Sequence, residues 1–495
     1  MKGKEDLFQL IQSMSPSEKR YFTIDAQKSG RKGSRYLELF HLINGMEAYD
    51  EAPLKRRFPK SLPFDKGYLY DAILRAMRDY HSSRSRAAQV KERLLDARYL
   101  FERGLYEQCE VRLSEARRLA EDIGDHLMLL EINKEYRRLV LGAKQQGFEE
   151  QLREFSAGAK TLLEAIGEEF RYLEIYESLL TRVIKQFVLR KQEGPDRFLE
   201  RLYERSLAGE RFPQTDLAQL RYHQSIALYN QLHGAFDEVT GNFSRVVEWW
   251  EAHPKYKEEE FYRYLEDFSN LLHAYATNGR LELLLQLLDQ LENIKPNTET
   301  AARILFQKVA IYRLISYINL GITKNLDKMI AEIEEGLDKF RIPAARRSAL
   351  MLNVALLFFT RDRFADCMLW CGRLIGDRKN QYRQDIRVAI YLLNLIAALE
   401  VDKLQLMEAT YRSTYRFLRK QDRLRSGQFE QVVLDYARRY MTESPDEQHG
   451  LLGEFQTYLE GVHSDAETKI SHGMDELFLL WVRSKRSRKT IAELM

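Results

Sequence analysis

Residues 94–123 read LLDARYLFERGLYEQCEVRLSEARRLAEDI, and this stretch decides the fold. Two segments rich in the helix formers Leu, Ala, Arg and Glu flank the pair Gly104-Leu105. Glycine adopts the left-handed backbone of a tight turn without the steric cost that other residues meet. Tyr106 then starts the second segment, and the small residue Cys109 follows three positions later, where two helices need to cross closely. The stretch predicts a helical hairpin that turns at Gly104.

The same turn pattern recurs along most of the chain. Five copies start with Gly or Asp, carry an aromatic residue or Leu two positions on, and carry a small or apolar residue five positions on. They begin at Gly104, Gly234, Gly279, Asp362 and Asp402. Weaker copies begin near residues 146, 194 and 324, so that successive starts lie 38 to 48 residues apart. A repeat of this length predicts about eight stacked helical hairpins, each leaving an apolar face for its neighbour to cover.

The repeat resembles the tetratricopeptide repeat (TPR), whose second half runs Gly-x-Tyr-x-x-Ala-x-x-x-aromatic-x-x-Ala. In the copy at Gly104 the corresponding positions hold Tyr106, Cys109, Leu113 and Ala116. The resemblance covers residues 90–420, although the period exceeds the roughly 34 residues of the standard repeat and the proline that commonly closes it is mostly missing. It implies an all-α, right-handed α-solenoid of TPR-like hairpins. The concave groove of such a solenoid binds a protein or peptide and performs no catalysis.

The composition also favours an all-α protein. The 495 residues include only 10 Pro and 25 Gly, which favours long helices over strands joined by tight turns. Three Cys are too few for a disulfide framework, and the N-terminus lacks a secretory signal, so we expect a cytoplasmic protein. The most apolar segments, 349–359 and 388–399, are too short to span a bilayer. We expect them to be buried central helices, and we expect no membrane partner.

Three parts are predicted from where the repeat begins and ends. Residues 1–93 lie outside the repeat and form a basic helical N-terminal head, in which Ser15 and Glu18 have the spacing of a capping box. Residues 94–420 carry the repeat solenoid. Residues 421–495 are expected to form a C-terminal helical cap with a basic tail, because a repeat array needs an end-piece with a polar outer face.

Sequence motifs of enzymes and cofactor sites are missing. We find no phosphate-binding glycine loop, no His-Glu-x-x-His zinc motif and no Gly-x-Ser-x-Gly nucleophile motif. Cys367 and Cys371 share a helix face four residues apart, but both fall on apolar repeat positions and no His is close in sequence. We therefore expect no enzyme activity, no cofactor and no bound metal, with both cysteines in the core.

Positive charge gathers at the two ends of the chain. Residues 1–93 hold 19 Lys and Arg against 12 Asp and Glu, residues 481–495 have a net charge of +4, and the remainder has −8. Such charge indicates either an anionic partner or solvated helix surface. The candidate contacts to an anionic partner are Lys28, Arg31, Lys32, Arg35, Lys55, Arg56, Arg57, Arg483, Lys485, Arg486, Arg488 and Lys489.

The basic ends leave two alternatives to a peptide-binding scaffold. One is a transcriptional regulator that joins a DNA-binding head to a TPR-like peptide sensor, and the other is an RNA- or ribosome-associated adaptor. For the scaffold, the groove is expected to be lined by helices at 220–231, 262–277, 302–320, 347–359 and 387–400. The neighbours Trp249 and Trp250 point ~100° apart on a helix, so they are expected to differ in exposure.

Overall fold

The protein is all-helical in a computed structural model of the chain, as the sequence predicts. Twenty-three α-helices and a C-terminal 3₁₀ helix occur in the described residues, and no β-strand occurs among them. No helix of these ranges is both long enough and apolar enough to cross a membrane. The described residues are 5–28, 35–83, 85–143, 147–185, 200–201, 204, 207–208, 212–296, 298–340, 342–376, 384–401, 403–425, 427–464 and 473–495.

The chain divides into two compact units, Met1–Ala274 and Tyr275–Met495. The helices that begin in the first unit are α1 (Asp6–Ser13), α2 (Pro16–Lys28), α3 (Arg35–Asn44), α4 (Glu51–Arg57), α5 (Leu62–Ser82), α6 (Arg86–Glu102), α7 (Tyr106–Asp122), α8 (His126–Ala143), α9 (Phe148–Val183), α10 (Asp216–Leu232), α11 (Phe236–Ala252), α12 (Pro254–Glu259) and α13 (Phe261–Thr277). Those of the second unit are α14 (Leu281–Glu292), α15 (Glu299–Asn319), α16 (Leu326–Lys339), α17 (Ala344–Phe359), α18 (Phe364–Gly376), α19 (Gln384–Glu400), α20 (Leu404–Lys420), α21 (Phe429–Thr442), α22 (Pro445–Ser464), α23 (Met474–Ser487) and the 3₁₀ helix Ile491–Glu493.

Helices α1 to α5 share an apolar core that includes Leu7, Phe40 and Ile73. The predicted capping box forms at the start of α2. The Ser15 backbone N–H donates to Glu18 Oε2 over 2.7 Å, and the Glu18 backbone N–H donates to Ser15 Oγ over 3.2 Å. The division of the chain at residue 93 stays a prediction.

Most helices after α5 pack against the next helix along the chain. This holds from α6 to α12 and again from α17 to α23. In the second unit α17 also packs against both α15 and α19, which are two positions away in helix order. Stacked hairpins require such nearest-neighbour packing.

The turn residues of the repeat adopt the backbone that the sequence predicts. The φ angle is positive at Gly104 (74°), Gly234 (72°), Gly279 (66°) and Asp362 (56°). After each of these residues a backbone N–H donates to the carbonyl five positions earlier, as Leu105 does to Leu100 over 3.0 Å. This arrangement ends a helix and satisfies its last carbonyls. The starts at Asp402 and near residues 146 and 194 lie outside the described residues.

The two other motif positions differ in how deeply their side chains are buried. The residue five positions on is buried in all five copies: Cys109, Val239, Leu284, Cys367 and Met407. The residue two positions on begins a helix, and Tyr106 and Phe364 pack against rings five residues earlier at 5.5 and 5.3 Å. Leu404 is 58% exposed, because α20 enters the core only at Met407.

Helices α17 and α19 are central, as their apolar sequences predict. Nine of the 16 residues of α17 and 12 of the 17 residues of α19 are buried. Helices α17, α18, α20 and α21 all pack against α19. The expectation that 347–359 and 387–400 line an open groove is therefore wrong, because neighbouring helices cover these segments on several sides. The same core includes Phe478 and Trp481 of α23.

Candidate functional site

Of the seven basic residues predicted as contacts in the head, the structure describes the side chains of four, and three of these four lie in ion pairs. Three of them pair within the head: Arg35 with Asp65 at 3.1 Å, Lys55 with Glu51 at 2.9 Å, and Arg57 with Glu38 at 2.6 Å. Arg56 is exposed on α4. The side chain of Lys28 and all of Arg31 and Lys32 lie outside the described residues. The pairing neutralises part of the charge that a DNA-binding head requires.

The basic tail is largely part of helix α23. Three of its side chains bind partners in the second unit: Arg483 binds Glu460 at 3.1 Å, Lys485 binds Glu400 at 2.7 Å, and Arg486 binds Gln456 at 2.5 Å. Arg488 ends α23 with a left-handed backbone, and both Arg488 and Lys489 are exposed. The structure does not bring the basic residues of the tail together into one unpaired cluster.

The cysteine pair Cys367 and Cys371 lies in the core of the second unit with no exposed surface. Burial, with a smaller effect of neighbouring Cys371, raises the pKa of the Cys367 thiol. Across the described residues, no three His, Cys, Asp or Glu side chains gather as metal ligands do.

A cavity of 470 Å³ in the first unit is the best candidate for a ligand site. It is surrounded by five helix ends: the end of α7, the starts of α8 and α10, the end of α11 and the start of α12. We therefore call it the edge cavity. Its size is typical of ligand pockets. The cavity is lined by Glu121, Asp122, Ile123, Gly124, His126, Leu129, Asp216, Leu217, Trp249, Ala252, His253, Pro254, Lys255 and Tyr256.

Local signals and one distant contact position these helix ends. Gly124 has φ of 60° and allows the turn from α7 to α8. The Thr215 side chain caps α10, and Glu168 of α9 accepts a hydrogen bond of 2.9 Å from the Thr215 backbone N–H. Pro254 occupies the first turn of α12, where its missing N–H costs nothing. The cavity is thus lined by helix ends, three of which have a turn or capping signal of their own.

Aromatic rings form one wall of the edge cavity. Trp249 stacks on His253 with the ring centroids 4.1 Å apart and the planes at 20°. Tyr256 meets Trp249 edge-on at 5.6 Å. The Trp249 Nε1 atom is buried and has no hydrogen-bond partner among the described residues. A buried indole N–H usually finds an acceptor, so Trp249 is an exception among the described residues.

The prediction that Trp249 and Trp250 differ in exposure is wrong. Trp249 is 7% exposed and Trp250 is 0% exposed. Both sides of α11 are covered, because α10 and α12 pack against it and Trp250 reaches Asp267 of α13. Two neighbours on a helix can both be buried when the helix has partners on more than one side.

Charged side chains surround the aromatic wall. Lys255 Nζ lies 2.6 Å from Asp122 Oδ1, and this hydrogen bond holds the pKa of Asp122 below its usual value. His126 Nδ1 lies 2.6 Å from Glu169 Oε1, which raises the pKa of His126. Asp216 lies 3.4 Å from His253 Nε2. The site combines a flat ring surface with paired charges, and such a combination can hold a ligand by stacking and by ion pairing.

Of the residues that line this site, only Trp249 has a signal in the sequence, as one of two adjacent tryptophans. The lining residues come from 121–129, 216–217 and 249–256, and no shared spacing connects these three segments. Nothing in the linear pattern signals that they meet. Comparison of the chain with protein-family models, with curated proteins and with solved structures finds no match.

Proposed function

We propose that the protein is a non-enzymatic, cytoplasmic peptide-binding scaffold built from TPR-like helical hairpins, and that the edge cavity receives an anchor side chain of the peptide. The observation that supports this most directly is the wall of Trp249, His253 and Tyr256 beside paired charges. Tryptophan and tyrosine side chains in pockets dominate the energy of many protein and peptide interfaces. The left-handed turns at Gly104 and Gly234 support the repeat interpretation of this unit.

The charge of the cavity favours a basic anchor. Three carboxylates line it, those of Glu121, Asp122 and Asp216, against the single ammonium group of Lys255. Glu121 also pairs with Arg117, which lies outside the lining, at 2.8 Å. The chain between its basic ends also has a net charge of −8. A cation gains further from the face of an aromatic ring. We therefore propose that the anchor residue is lysine or arginine.

A blocking substitution tests this function. Ala252 lines the cavity and is exposed, so Ala252→Arg places a long basic side chain where the anchor would lie. Ala157→Arg makes the same change at an exposed position of α9 and serves as the matched control. The probes are fluorescein-labelled pools of heptapeptides whose central residue is Lys, Arg, Glu or Leu, with the other positions randomised. Fluorescence anisotropy measures their binding.

We expect the Lys and Arg pools to bind the wild type and the Ala157→Arg variant equally. Binding to the Ala252→Arg variant should be at least about tenfold weaker, which corresponds to about 1.4 kcal/mol. The proposal fails if no pool binds the wild type, or if the two arginine variants bind the pools alike. Preference for the Glu pool would show that the proposed anchor has the wrong charge.

A further inference from the structure

A second surface, on α20 in the second unit, carries positive charge that few acidic side chains neutralise. Its side chains follow one another at spacings of three and four residues, which place them on one side of the helix. The surface, here named the α20 basic face, consists of Arg412, Tyr415, Arg416, Arg419 and Lys420 of α20 and Arg438 of α21, all of them exposed. This segment lies inside the repeat and away from the basic ends of the chain.

The α20 basic face has few acidic partners. Arg412 lies 3.5 Å from Glu408, at the margin of the face, and Arg416 Nε donates to the Arg412 carbonyl over 3.2 Å. For Arg416, Arg419 and Lys420 no carboxylate of the described residues lies within 4.0 Å. Other arginines of the unit reach across to acids on neighbouring helices: Arg313 to Glu332 at 2.9 Å, Arg363 to Asp327 at 2.5 Å, Arg373 to Glu334 at 2.5 Å and Arg439 to Glu454 at 2.6 Å.

The helix dipole accounts for only part of this charge. Arg419 and Lys420 lie in the last turn of α20, where cations interact favourably with the free carbonyls. Arg412 and Arg416 lie one to two turns earlier, beyond the reach of that effect. Four cations over nine residues therefore form a row about 12 Å long, given the rise of about 1.5 Å per residue. Such a row matches a ligand with regularly spaced negative charge.

Aromatic rings flank the row. Tyr411 and Tyr415 lie one turn apart with ring centroids 6.4 Å apart and planes at 15°. Tyr415 is 38% exposed, so part of its ring is open to a ligand. Arg438 and Asp435 of α21 lie close enough to Tyr411 to act on its hydroxyl electrostatically. Exposed rings beside a row of arginines are what single-stranded nucleic acids bind, because their bases stack on the rings while their phosphates pair with the cations.

We propose that the α20 basic face binds single-stranded nucleic acid, with phosphates on Arg412, Arg416 and Arg419 and a base stacked on Tyr415. An acidic protein would use the cations but gain little from a stacking ring. A membrane surface would require apolar side chains interleaved with the cations, and the face offers only the tyrosine rings. The proposal is independent of the peptide site, since it uses different residues in the other unit.

Fluorescence anisotropy of the full-length protein with labelled dT20 and rU20 tests this proposal. The triple variant Arg412→Gln, Arg416→Gln, Arg419→Gln removes the proposed phosphate contacts. The matched control, Lys91→Gln, Lys134→Gln, Arg137→Gln, removes three exposed cations of the first unit. Tyr415→Ala removes the ring, and Tyr415→Phe keeps it. Circular dichroism and thermal unfolding check that each variant folds like the wild type.

We expect the triple variant to bind at least about tenfold more weakly at about 100 mM salt, and its salt slope to be smaller by ~2, since each phosphate contact on a single strand contributes about 0.7. Tyr415→Ala should weaken binding about tenfold, whereas the affinities of Tyr415→Phe and of the first-unit control should stay within about twofold of the wild-type affinity.

Several results would overturn the proposal. One is no binding of either oligonucleotide by the wild type at about 50 mM salt. Another is an equal loss of affinity in the first-unit control and in the triple variant of the α20 basic face. Equal binding by Tyr415→Ala and Tyr415→Phe would show that no base stacks there. Displacement of dT20 by poly-glutamate of equal charge would identify an acidic polypeptide as the partner, and binding to phosphatidylserine vesicles without binding to dT20 would identify a membrane.

Discussion

Asp267 should make the stability of the first unit depend on pH. Its side chain is buried and accepts hydrogen bonds from Gln224 Nε2, at 2.8 and 2.6 Å, and from Trp250 Nε1, at 2.8 Å. Burial raises the pKa of Asp267 from 3.8 to about 6, although these hydrogen bonds and nearby Arg221 lower it. The folded protein therefore holds this proton more tightly than the unfolded chain does.

The sign of the effect follows from proton linkage. Between pH 3.8 and about 6 the folded state binds more protons than the unfolded state, so the free energy of unfolding falls as pH rises. The stabilisation is fully present below pH 3.8 and is lost as pH passes the folded pKa. A shift of roughly two units corresponds to about 3 kcal/mol, of which about 2 kcal/mol falls between pH 4.5 and 7.

Substitution of Asp267→Asn removes the titration while preserving size and one acceptor. Urea unfolding followed by tryptophan fluorescence gives the free energy of unfolding at each pH. From pH 4.5 to 7, the wild type should lose about 2 kcal/mol relative to the Asp267→Asn variant. Asp71→Asn, at an exposed position of α5, is the matched control and should follow the wild type. A wild-type-minus-variant difference that is constant within about 0.5 kcal/mol over this range would refute the reasoning.

Two further predictions concern packing and a distant helix cap. Gly336→Ala places a methyl carbon 2.1 Å from the Phe306 ring and should lower the free energy of urea unfolding by about 1–3 kcal/mol, whereas Gly372→Ala meets no atom within 4 Å and should raise it by up to about 1 kcal/mol. Glu259→Ala removes a carboxylate that accepts a hydrogen bond from the Arg86 backbone N–H over 2.8 Å. This substitution should lower the free energy of unfolding by about 1–2 kcal/mol. Unchanged hydrogen exchange in the first turn of α6 would contradict the last prediction.

The sequence alone determined the helices and the turns between them. A left-handed turn strongly favours Gly, and Asp tolerates it better than most residues, so Gly104, Gly234, Gly279 and Asp362 identified helix ends without knowledge of the fold. The apolar runs at 349–359 and 388–399 likewise predicted buried helices, because a helix that is apolar all round must be covered. These features depend on interactions within a few residues or on composition, and both are visible in the linear chain.

Only the tertiary structure decided which surfaces stay open and which charges stay free. Trp249 forms part of a cavity wall because the turn after α7 lines the same cavity, and that turn lies more than 100 residues earlier in the chain. Lys485 pairs with Glu400, which lies 85 positions earlier in the chain, whereas no described acidic side chain pairs with Arg416. The physical reason is the sequence distance over which the interactions act. Periodicity shows which side of a helix is apolar. The helix that covers this side, or the acid that neutralises a charge, comes from a segment that is distant in the chain and packs nearby only in the folded protein.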